Sequence, residues 1–331
     1  MPEKLRVGTV GVEPGQKKSV LVTVGNTSTW DVKLPLFLVN GSRSGPKLCI
    51  TAGMHPTEYA GIEAAFRIPR LLNPEQLSGA VISVPIVNTP AFQSRSRLCP
   101  VDGTNLNRLY PGQPDGTVGN LIASFLTKEV FSQSNFYVDN HCADVHEVAV
   151  NNMIYYEVEK DDVDKNSREM CKCFDTPYAR VVRPKEPVTG QMSSVHYTAQ
   201  LGCASVLSEV GSCGGLSKSG KIDEDDVSWN VNGIMNVMKH FGMTEGSPRL
   251  HEKQKVIPNW VELFAKQAGI FYPRIDIGNR VAKGEVIGET RNLLQEPVET
   301  IESPINGIIS LYYAFFPAVD PGRRLVQIFE V

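Results

Sequence analysis

Hydrophobic and polar positions alternate along the first forty residues, with turn signals at Gly25-Asn26 and Asn40-Gly41. This period of two is typical of strands with one buried face. Further along, short apolar runs alternate with segments whose apolar residues recur at helical spacing. The apolar runs span 47–53, 80–87 and 203–211, and the helical segments span 61–72, 119–131 and 231–242. Another segment, 135–149, is expected to lead into a strand that ends near His146.

The alternation of strands and helices predicts an α/β fold with a mixed, largely parallel sheet flanked by helices. Functional residues of such sheets lie in loops beyond the carboxyl ends of the strands. Near residue 248 the helical period disappears, and glycine and proline turns recur at short intervals up to the last residue. We therefore expect two domains: 1–248, which carries the chemistry, and 249–331, a small β-barrel or β-sandwich.

The segment 249–331 resembles the biotinyl/lipoyl-carrier type of β-sandwich in two short patterns. They are G-x-x-V-x-K-G-x-x-I-G, which begins at Gly278, and S-P-x-x-G-x-I, which begins at Ser303. A carrier needs a lysine on an exposed hairpin to take its cofactor. The last lysine of the chain is Lys283, in the first turn and not in the hairpin. We therefore expect a structural or lid-forming domain without an acceptor lysine.

The composition of the 331-residue chain is that of an ordinary globular protein, with 41% hydrophobic and 21% charged residues. A net charge of −3 gives no bulk attraction for nucleic acid or anionic membranes. No apolar run is long enough to cross a bilayer, and the N-terminus lacks the apolar segment of a secretory signal. Seven cysteines without a repeating spacing indicate reduced thiols. We expect a cytoplasmic protein that binds neither nucleic acid nor membrane.

The first candidate for chemistry is the pair His55 and Glu58, which follows a buried strand. Positions i and i+3 of a turn share a face, so the two side chains can hold one metal ion. A catalytic zinc takes three protein ligands, commonly two histidines and a glutamate, and keeps a fourth position for water. The predicted third ligand is His146, at an apparent strand end, and His141 is the weaker alternative. Two unrelated histidines would give the same pattern.

Two further groups of polar side chains follow predicted strands. Glu209 comes at the end of an apolar run, where a carboxylate can deprotonate a zinc-activated water, although a solvated carboxylate has the same signature. A long loop carries Arg97, Asp102, Asn107 and Arg108. An arginine beside an amide suits bidentate binding of a carboxylate, and another guanidinium can stabilise an oxyanion. Arginines that merely solvate the loop are the alternative.

In this order, these residues resemble the zinc carboxypeptidase superfamily and, more closely, the succinylglutamate desuccinylase/aspartoacylase family. The resemblance covers residues from about 48 to 212, and the C-terminal β-domain is also similar to that family's. It implies that His55, Glu58 and His146 hold one zinc ion per chain. It also implies that Glu209, in the pattern E-x-G, is the general acid/base.

The arginine segment of the family ends in D-L-N-R and corresponds here to Arg97 through Asn105-Leu106-Asn107-Arg108. The resemblance implies that Arg97 polarises the scissile carbonyl, with Arg95 as its rival. It implies that Asn107 and Arg108 bind a carboxylate of the substrate.

Three positions depart from the family pattern. Pro56 follows the first ligand, Asn105 stands where aspartate is usual, and Glu147 follows the predicted third ligand. None of them removes a ligand or the base, so we expect an active enzyme whose pocket differs in shape. Tyr197 is expected to line that pocket.

The expected function is zinc-dependent hydrolysis of the amide of an N-acyl amino acid, or of a related small amide that bears a carboxylate. Two alternatives stay open. One is a zinc carboxypeptidase acting on peptides, and the other is a non-catalytic metal-binding interaction protein, which has no need of Glu209. A homo-oligomer stays an open alternative to a monomer.

Overall fold

The computed structural model describes residues 2–184, 190–313 and 318–331. Its helices are α1 (Tyr59–Leu71), α2 (Thr89–Ser94), α3 (Val118–Phe125), α4 (Asp161–Lys172), α5 (Ser194–Gln200) and α6 (Glu224–His240). Its strands are β1 (Leu5–Val7), β2 (Val10–Val12), β3 (Gln16–Asn26), β4 (Asp31–Asn40), β5 (Arg43–Ala52), β6 (Ser78–Val84), β7 (Phe136–His141), β8 (Glu147–Ala149), β9 (Asn152–Tyr156), β10 (Tyr178–Val182), β11 (Ala204–Glu209), β12 (Lys255–Ile257), β13 (Trp260–Phe264), β14 (Gly269–Pro273), β15 (Arg280–Val281), β16 (Val286–Arg291), β17 (Pro297–Glu302), β18 (Gly307–Tyr313), β19 (Ala318–Val319) and β20 (Arg324–Phe329).

A nine-stranded mixed sheet forms the centre of the larger part, in the order β12-β10-β9-β11-β7-β5-β6-β4-β3. Its middle is parallel, because β11, β7, β5 and β6 run in the same direction. β3 and β4 add an antiparallel edge, and β9 is antiparallel to β11 but parallel to β10. The predicted α/β class with a mixed sheet is confirmed.

Two hydrophobic cores lie on opposite faces of this sheet, because side chains alternate along each strand. In β5, Cys49 belongs to one core, whereas Leu48 and Ile50 belong to the other. α1 and α6 pack together over the second core, and α3 covers the first. Because both faces are buried, the strand ends are where polar side chains can meet. No helix in the described ranges is long and apolar enough to cross a membrane.

The C-terminal part consists of two antiparallel sheets around a core of its own. One sheet has the order β13-β20-β18-β15, and the other has the order β17-β16-β14-β19. Phe271, Ile309 and Leu325 lie in the core between them. A small β-domain is therefore present, as predicted. The boundary at residue 248 stays a prediction, with β12 in the large sheet and β13 starting at Trp260.

Strand β8 joins the two parts, because it pairs with β18 of the β-domain. It follows β7 after a short turn, so this pairing holds the β-domain beside the carboxyl end of β7. The hairpin between β16 and β17 carries residues 292–296 at its tip, and Lys283 lies before β16.

Candidate active site

His55 and Glu58 lie in the turn between β5 and α1. The chain leaves β5 through Gly53, whose φ of 66° is a left-handed conformation that favours glycine, and a side chain there would approach the backbone of Ile86 at 3.1 Å. The Glu58 amide donates to the His55 carbonyl across 3.1 Å, which closes the turn. Both side chains are buried, and His55 Nδ1 lies 2.9 Å from Glu58 Oε1. The two residues therefore share a face, as their spacing predicts.

The third residue of this cluster is His141, the last residue of β7. Its Nδ1 lies 2.7 Å from Glu58 Oε2, and its ring centre is 5.1 Å from that of His55. One ligand atom from each of His55, Glu58 and His141 lies within 4.8 Å of the others. All three residues are buried. Within the described residues, this is the group of histidines and acidic residues arranged to hold a metal ion.

His146, the predicted third ligand, does not belong to this cluster. β7 ends at His141 and not near His146, so His141 is the residue that reaches the cluster. His146 is exposed in the turn before β8, where it lines a separate surface depression with Asp144 and Phe264. The sequence analysis placed the end of this strand five residues too late. The weaker alternative from the sequence takes its place.

The charged groups of the cluster lie so close together that they shift one another's pKa values. Burial raises the pKa of Glu58, but His141 and His55 outweigh it and lower this pKa well below the usual range. Burial likewise lowers the pKa of His141, and the carboxylates of Asp139 and Glu58 outweigh it and raise this pKa. Glu58 is therefore a carboxylate at neutral pH, the form in which it can bind a cation.

Asp139 holds the His141 ring from behind, a role that the sequence analysis missed. Its fully buried carboxylate lies 3.2 Å from His141 Nε2 and accepts hydrogen bonds from the hydroxyls of Thr51 and Ser194, both at 2.7 Å. A carboxylate behind a histidine fixes which ring nitrogen faces forward. The available signal was the spacing of two, which places Asp139 and His141 on the same face of one strand.

Glu209 ends β11 and lies beside His141 in the neighbouring strand. It lines the same cavity as His55 and Glu58. Burial raises the pKa of Glu209 to about 7, and the negative charge of Glu58 adds to the rise. A carboxyl group with this pKa can both accept and return a proton near neutral pH.

Arg97 reaches the cluster from the long loop after α2. Its Nη1 donates to Glu58 Oε1 at 3.2 Å and to Asp144 Oδ2 at 2.8 Å. Its rival Arg95 ends α2 in a left-handed conformation with φ of 54° and is not among the residues that line the cavity. Asp102 shapes the loop, because it accepts hydrogen bonds from the Thr104 hydroxyl and from the backbone amide of Gly119.

The segment from Asn105 to Arg108 forms a short 3-10 turn over the cluster. Asn105, the departure from the family pattern, places its Oδ1 3.1 Å from His55 Nε2. Asn107 is buried, and its Oδ1 accepts from the amide and hydroxyl of Ser194 at 3.0 and 3.2 Å. Arg108 is exposed, and its Nη1 donates to the Asn107 carbonyl. Both Asn107 and Arg108 line the cavity.

Tyr197 does not lie where the sequence placed it. It lies on α5, where it packs against the hydrophobic core, and it is not among the cavity-lining residues of the described chain. Its neighbour His196 is buried and stacks on Tyr156, with ring centres 4.5 Å apart. Tyr156 and Ser193 line the cavity instead.

The cavity in front of the cluster has a volume of about 270 Å³. One side is built by the strand ends of the large sheet, and the other side comes from the β-domain. The β-domain residues that line it are Trp260, Glu262, Ser310, Leu311, Arg324 and Gln327. Glu147, the third departure from the family pattern, accepts a hydrogen bond from Arg324 at 3.0 Å.

Comparison with known proteins agrees with this architecture. The family model described as "Succinylglutamate desuccinylase/Aspartoacylase catalytic domain" matches residues 44–241. An N-alpha-acetyl-L-2,4-diaminobutyric acid deacetylase from Halomonas elongata is 28% identical to this chain, over 97% of the chain and 92% of the relative.

Two solved structures are similar over nearly the whole chain. The product-bound ectoine utilization protein EutE (DoeB) from Ruegeria pomeroyi has a TM-score of 0.86 at 25% identity and covers 98% of both chains. A succinylglutamate desuccinylase/aspartoacylase from Rhodobacter sphaeroides has a TM-score of 0.81 at 25% identity and covers 95% of this chain and 94% of its own. The family match over more than half of the chain decides the assignment. This chain therefore belongs to the succinylglutamate desuccinylase/aspartoacylase family, a family of amide hydrolases.

Proposed function

We propose that this protein is a zinc-dependent deacylase that hydrolyses the amide of an N-acyl amino acid or of a related small, carboxylate-bearing amide. The observation that carries the proposal is the cluster of His55, Glu58 and His141 beside Glu209 in one cavity. The deacetylase activity named for the Halomonas elongata relative supports the reaction class.

The donor set of the cluster fits one zinc ion per chain. Two histidines and one glutamate are a common ligand set of catalytic zinc, and their ligand atoms already lie within 4.8 Å of one another. His55, Glu58 and His141 would hold the ion, with Asp139 fixing the ring of His141. A zinc ion bound there would polarise the scissile carbonyl and lower the pKa of the attacking water.

Glu209 supplies the proton transfers. With a pKa of about 7 it is partly deprotonated at neutral pH, so its carboxylate accepts a proton from water as the amide carbonyl is attacked. The same group then passes this proton to the leaving amine. This role is supported by the position of Glu209 at the end of β11, next to the end of β7 and the cluster.

Arg97 is assigned to the developing oxyanion. Its guanidinium already lies at the cluster, held by Glu58 and Asp144, and a fixed positive charge stabilises the tetrahedral intermediate without rearrangement. The contact with Asp144 keeps the side chain in place, so Arg97 does not have to be ordered by the substrate.

Asn107 and Arg108 are assigned to a carboxylate of the substrate. Asn107 Oδ1 accepts hydrogen bonds from Ser194. The amide nitrogen, which has one long contact of 3.5 Å to His141 Nε2, is therefore the group that Asn107 offers to a ligand. Arg108 donates from Nη1 to the Asn107 carbonyl of its own loop. The other nitrogens of its guanidinium lie at the rim of the cavity. Tyr197 has no part in this proposal because it packs against the core.

The size of the cavity favours a small substrate over a peptide. The β-domain provides a full side of the cavity, through residues such as Trp260 and Arg324. A wall at this place limits how far a substrate extends beyond the scissile amide, which is against a carboxypeptidase acting on long chains.

The unpaired state of the seven cysteines, six of them buried, supports a cytoplasmic location.

The test is a substrate panel on purified, zinc-loaded protein, with N-acetyl, N-succinyl and N-formyl amino acids and short peptides. We expect turnover of at least one N-acyl amino acid and little of the peptides. Turnover of peptides alone would establish the carboxypeptidase alternative. No turnover of any compound, with zinc bound, would favour the non-catalytic alternative.

A further inference from the structure

Four arginines line the cavity, and they differ in what neutralises them. Arg97 is held by the carboxylates of Glu58 and Asp144, and Arg324 is held by those of Glu147 and Glu262. Arg108 is exposed to solvent. Arg180 is the exception, because it is largely enclosed and, within the described residues, forms no ion pair with a carboxylate.

Arg180 lies in β10, between β9 and β12, where the large sheet meets the β-domain. Its guanidinium stacks on the indole of Trp260, 4.4 Å from the ring centre, and lies 5.8 Å from the ring centre of Phe329. These two aromatic rings keep the guanidinium in one plane. The stacking leaves the edge of the guanidinium available for hydrogen bonds.

The hydrogen-bond donors of Arg180 are nearly unused. Nη1 has one long contact of 3.5 Å to Gln327 Oε1, and Nε is buried without a hydrogen-bond partner in the described structure. Burial lowers the pKa of Arg180, and the more distant carboxylates of Glu209 and Glu262 oppose it only in part. A largely enclosed guanidinium with unsatisfied donors is unfavourable, so a partner for it is expected.

From these contacts we infer that Arg180 is the inner anion-binding residue of the cavity and that it binds a carboxylate of the substrate. A carboxylate matches the fork of the guanidinium with two parallel hydrogen bonds, and it would satisfy the donors that the protein leaves free. The inference rests on the proposed function in so far as this cavity is the substrate site. Two parts of an N-acyl amino acid can supply the carboxylate, namely the amino-acid end or a dicarboxylic acyl group.

The position of Arg180 explains why its role is absent from the sequence patterns. Arg180 lies in a strand outside the arginine segment of the family, and it is brought to the cavity by the pairing of β10 with β9 and by the stacking on Trp260. Both contacts depend on the tertiary fold.

The test is calorimetric binding, measured on zinc-loaded protein with Glu209→Gln as the background so that the probes are not consumed. The probes are N-acetylalanine, with its carboxylate at the amino-acid end, N-succinylpropylamine, with its carboxylate at the acyl end, and N-acetylpropylamine, which has none. Adding Arg180→Gln should weaken binding of at least one carboxylate probe by tenfold or more and leave N-acetylpropylamine within twofold. The probe that loses affinity identifies the source of the carboxylate.

Arg180→Lys and Arg183→Gln complete the set of variants. Lysine keeps the charge but loses the fork, so we expect an intermediate loss, and this variant serves if Arg180→Gln does not fold. Arg183, just past β10, is exposed and paired with Glu157, so Arg183→Gln removes a nearby positive charge without touching the cavity and should bind all probes normally.

Two results would overturn the inference. The first is an equal loss of affinity for all three probes in the Arg180→Gln variant. The second is no loss of affinity for either carboxylate probe, which includes the case in which neither of them binds more tightly than N-acetylpropylamine. Hydrolysis by the wild-type protein is measured separately. Normal probe binding without hydrolysis would refute the proposed function while leaving the assignment of Arg180 in place.

Discussion

The two sides of the cavity contain different kinds of polar residues. On the side of the large sheet, His55, Glu58, His141 and Glu209 lie at the ends of three neighbouring parallel strands or in the turn that follows them. On the side of the β-domain, Arg324 ties together Glu147 and Glu262, and Gln327 also donates to Glu262.

This difference indicates which side of the cavity carries out the reaction and which side selects the substrate. The sheet side places ionisable groups so close together that their pKa values shift, as for Glu58 and Glu209. Such shifts suit groups that bind a metal ion or transfer protons. The β-domain side consists mainly of charges that already neutralise one another, an arrangement that suits a wall. Changes to the metal cluster and to Glu209 should therefore affect kcat, whereas changes on the β-domain side should affect KM.

The largest effect is expected for Glu209→Gln. Glutamine keeps the shape of the side chain but cannot accept the proton, so kcat should fall by at least about 10²-fold, in the range of general-base effects. The measurement is steady-state kinetics together with zinc analysis, which should find the metal retained. Near-normal turnover would move the base role elsewhere, with Glu147 as the first alternative.

The next effect tests the rim of the cavity through Arg108→Ala. Hydrogen bonds to charged groups contribute about 1.5–3 kcal/mol, so kcat/KM for an N-acyl amino acid should fall by roughly one to two decades. The control is the matching N-acyl amine, on which the variant should equal the wild type. Equal losses on both compounds would mean that Arg108 supports its loop and does not contact the ligand.

A smaller effect is expected for Arg324→Met on the β-domain side. This change separates Glu147 from Glu262 but leaves the metal cluster and Glu209 untouched. Partly exposed ion pairs contribute little, so KM should rise by less than about tenfold and kcat should change little. A fall in kcat as large as that of Glu209→Gln would show that the β-domain takes part in the chemistry.

The smallest effect is expected for Lys283→Arg. Lys283 is exposed and lies before β16, away from the cavity. If the β-domain is a wall and not a carrier, kcat/KM should stay within about twofold, and mass spectrometry of the purified wild type should find Lys283 unmodified. A cofactor attached to this lysine would require a carrier role after all.

The alternation of apolar runs and helical segments was sufficient to predict the mixed sheet and the β-domain, because periodicity is a local property of the chain. The sequence also predicted His55, Glu58 and Glu209 as site residues, since each lies at the end of an apolar run or soon after it. The choice between His141 and His146 could not be made from the sequence, because strand ends are the least certain feature of a sequence-based assignment.

The contacts of Arg180 and Tyr197 show a second limit, and those of Asp139 show a signal that was missed. Arg180 reaches the cavity only because β10 pairs with β9 and because Trp260, far along the chain, stacks on it. Tyr197 packs against the core, whereas its neighbour on α5, His196, stacks on Tyr156. Asp139 acts through its contact with His141. The contacts of Arg180 and Tyr197 join segments that no short pattern encodes, whereas the contact of Asp139 with His141 follows from a spacing of two within β7.

The central claim is that one metal ion is held where β5 and β7 end, and zinc analysis of a matched pair of variants tests it most directly. His141→Ala removes a buried member of the cluster, whereas His146→Ala removes an exposed histidine of the following turn. With circular dichroism showing both variants folded, we predict that His141→Ala is largely metal-free and that His146→Ala retains about one zinc per chain. Stoichiometric zinc in His141→Ala, with loss of zinc in His146→Ala, would contradict the account.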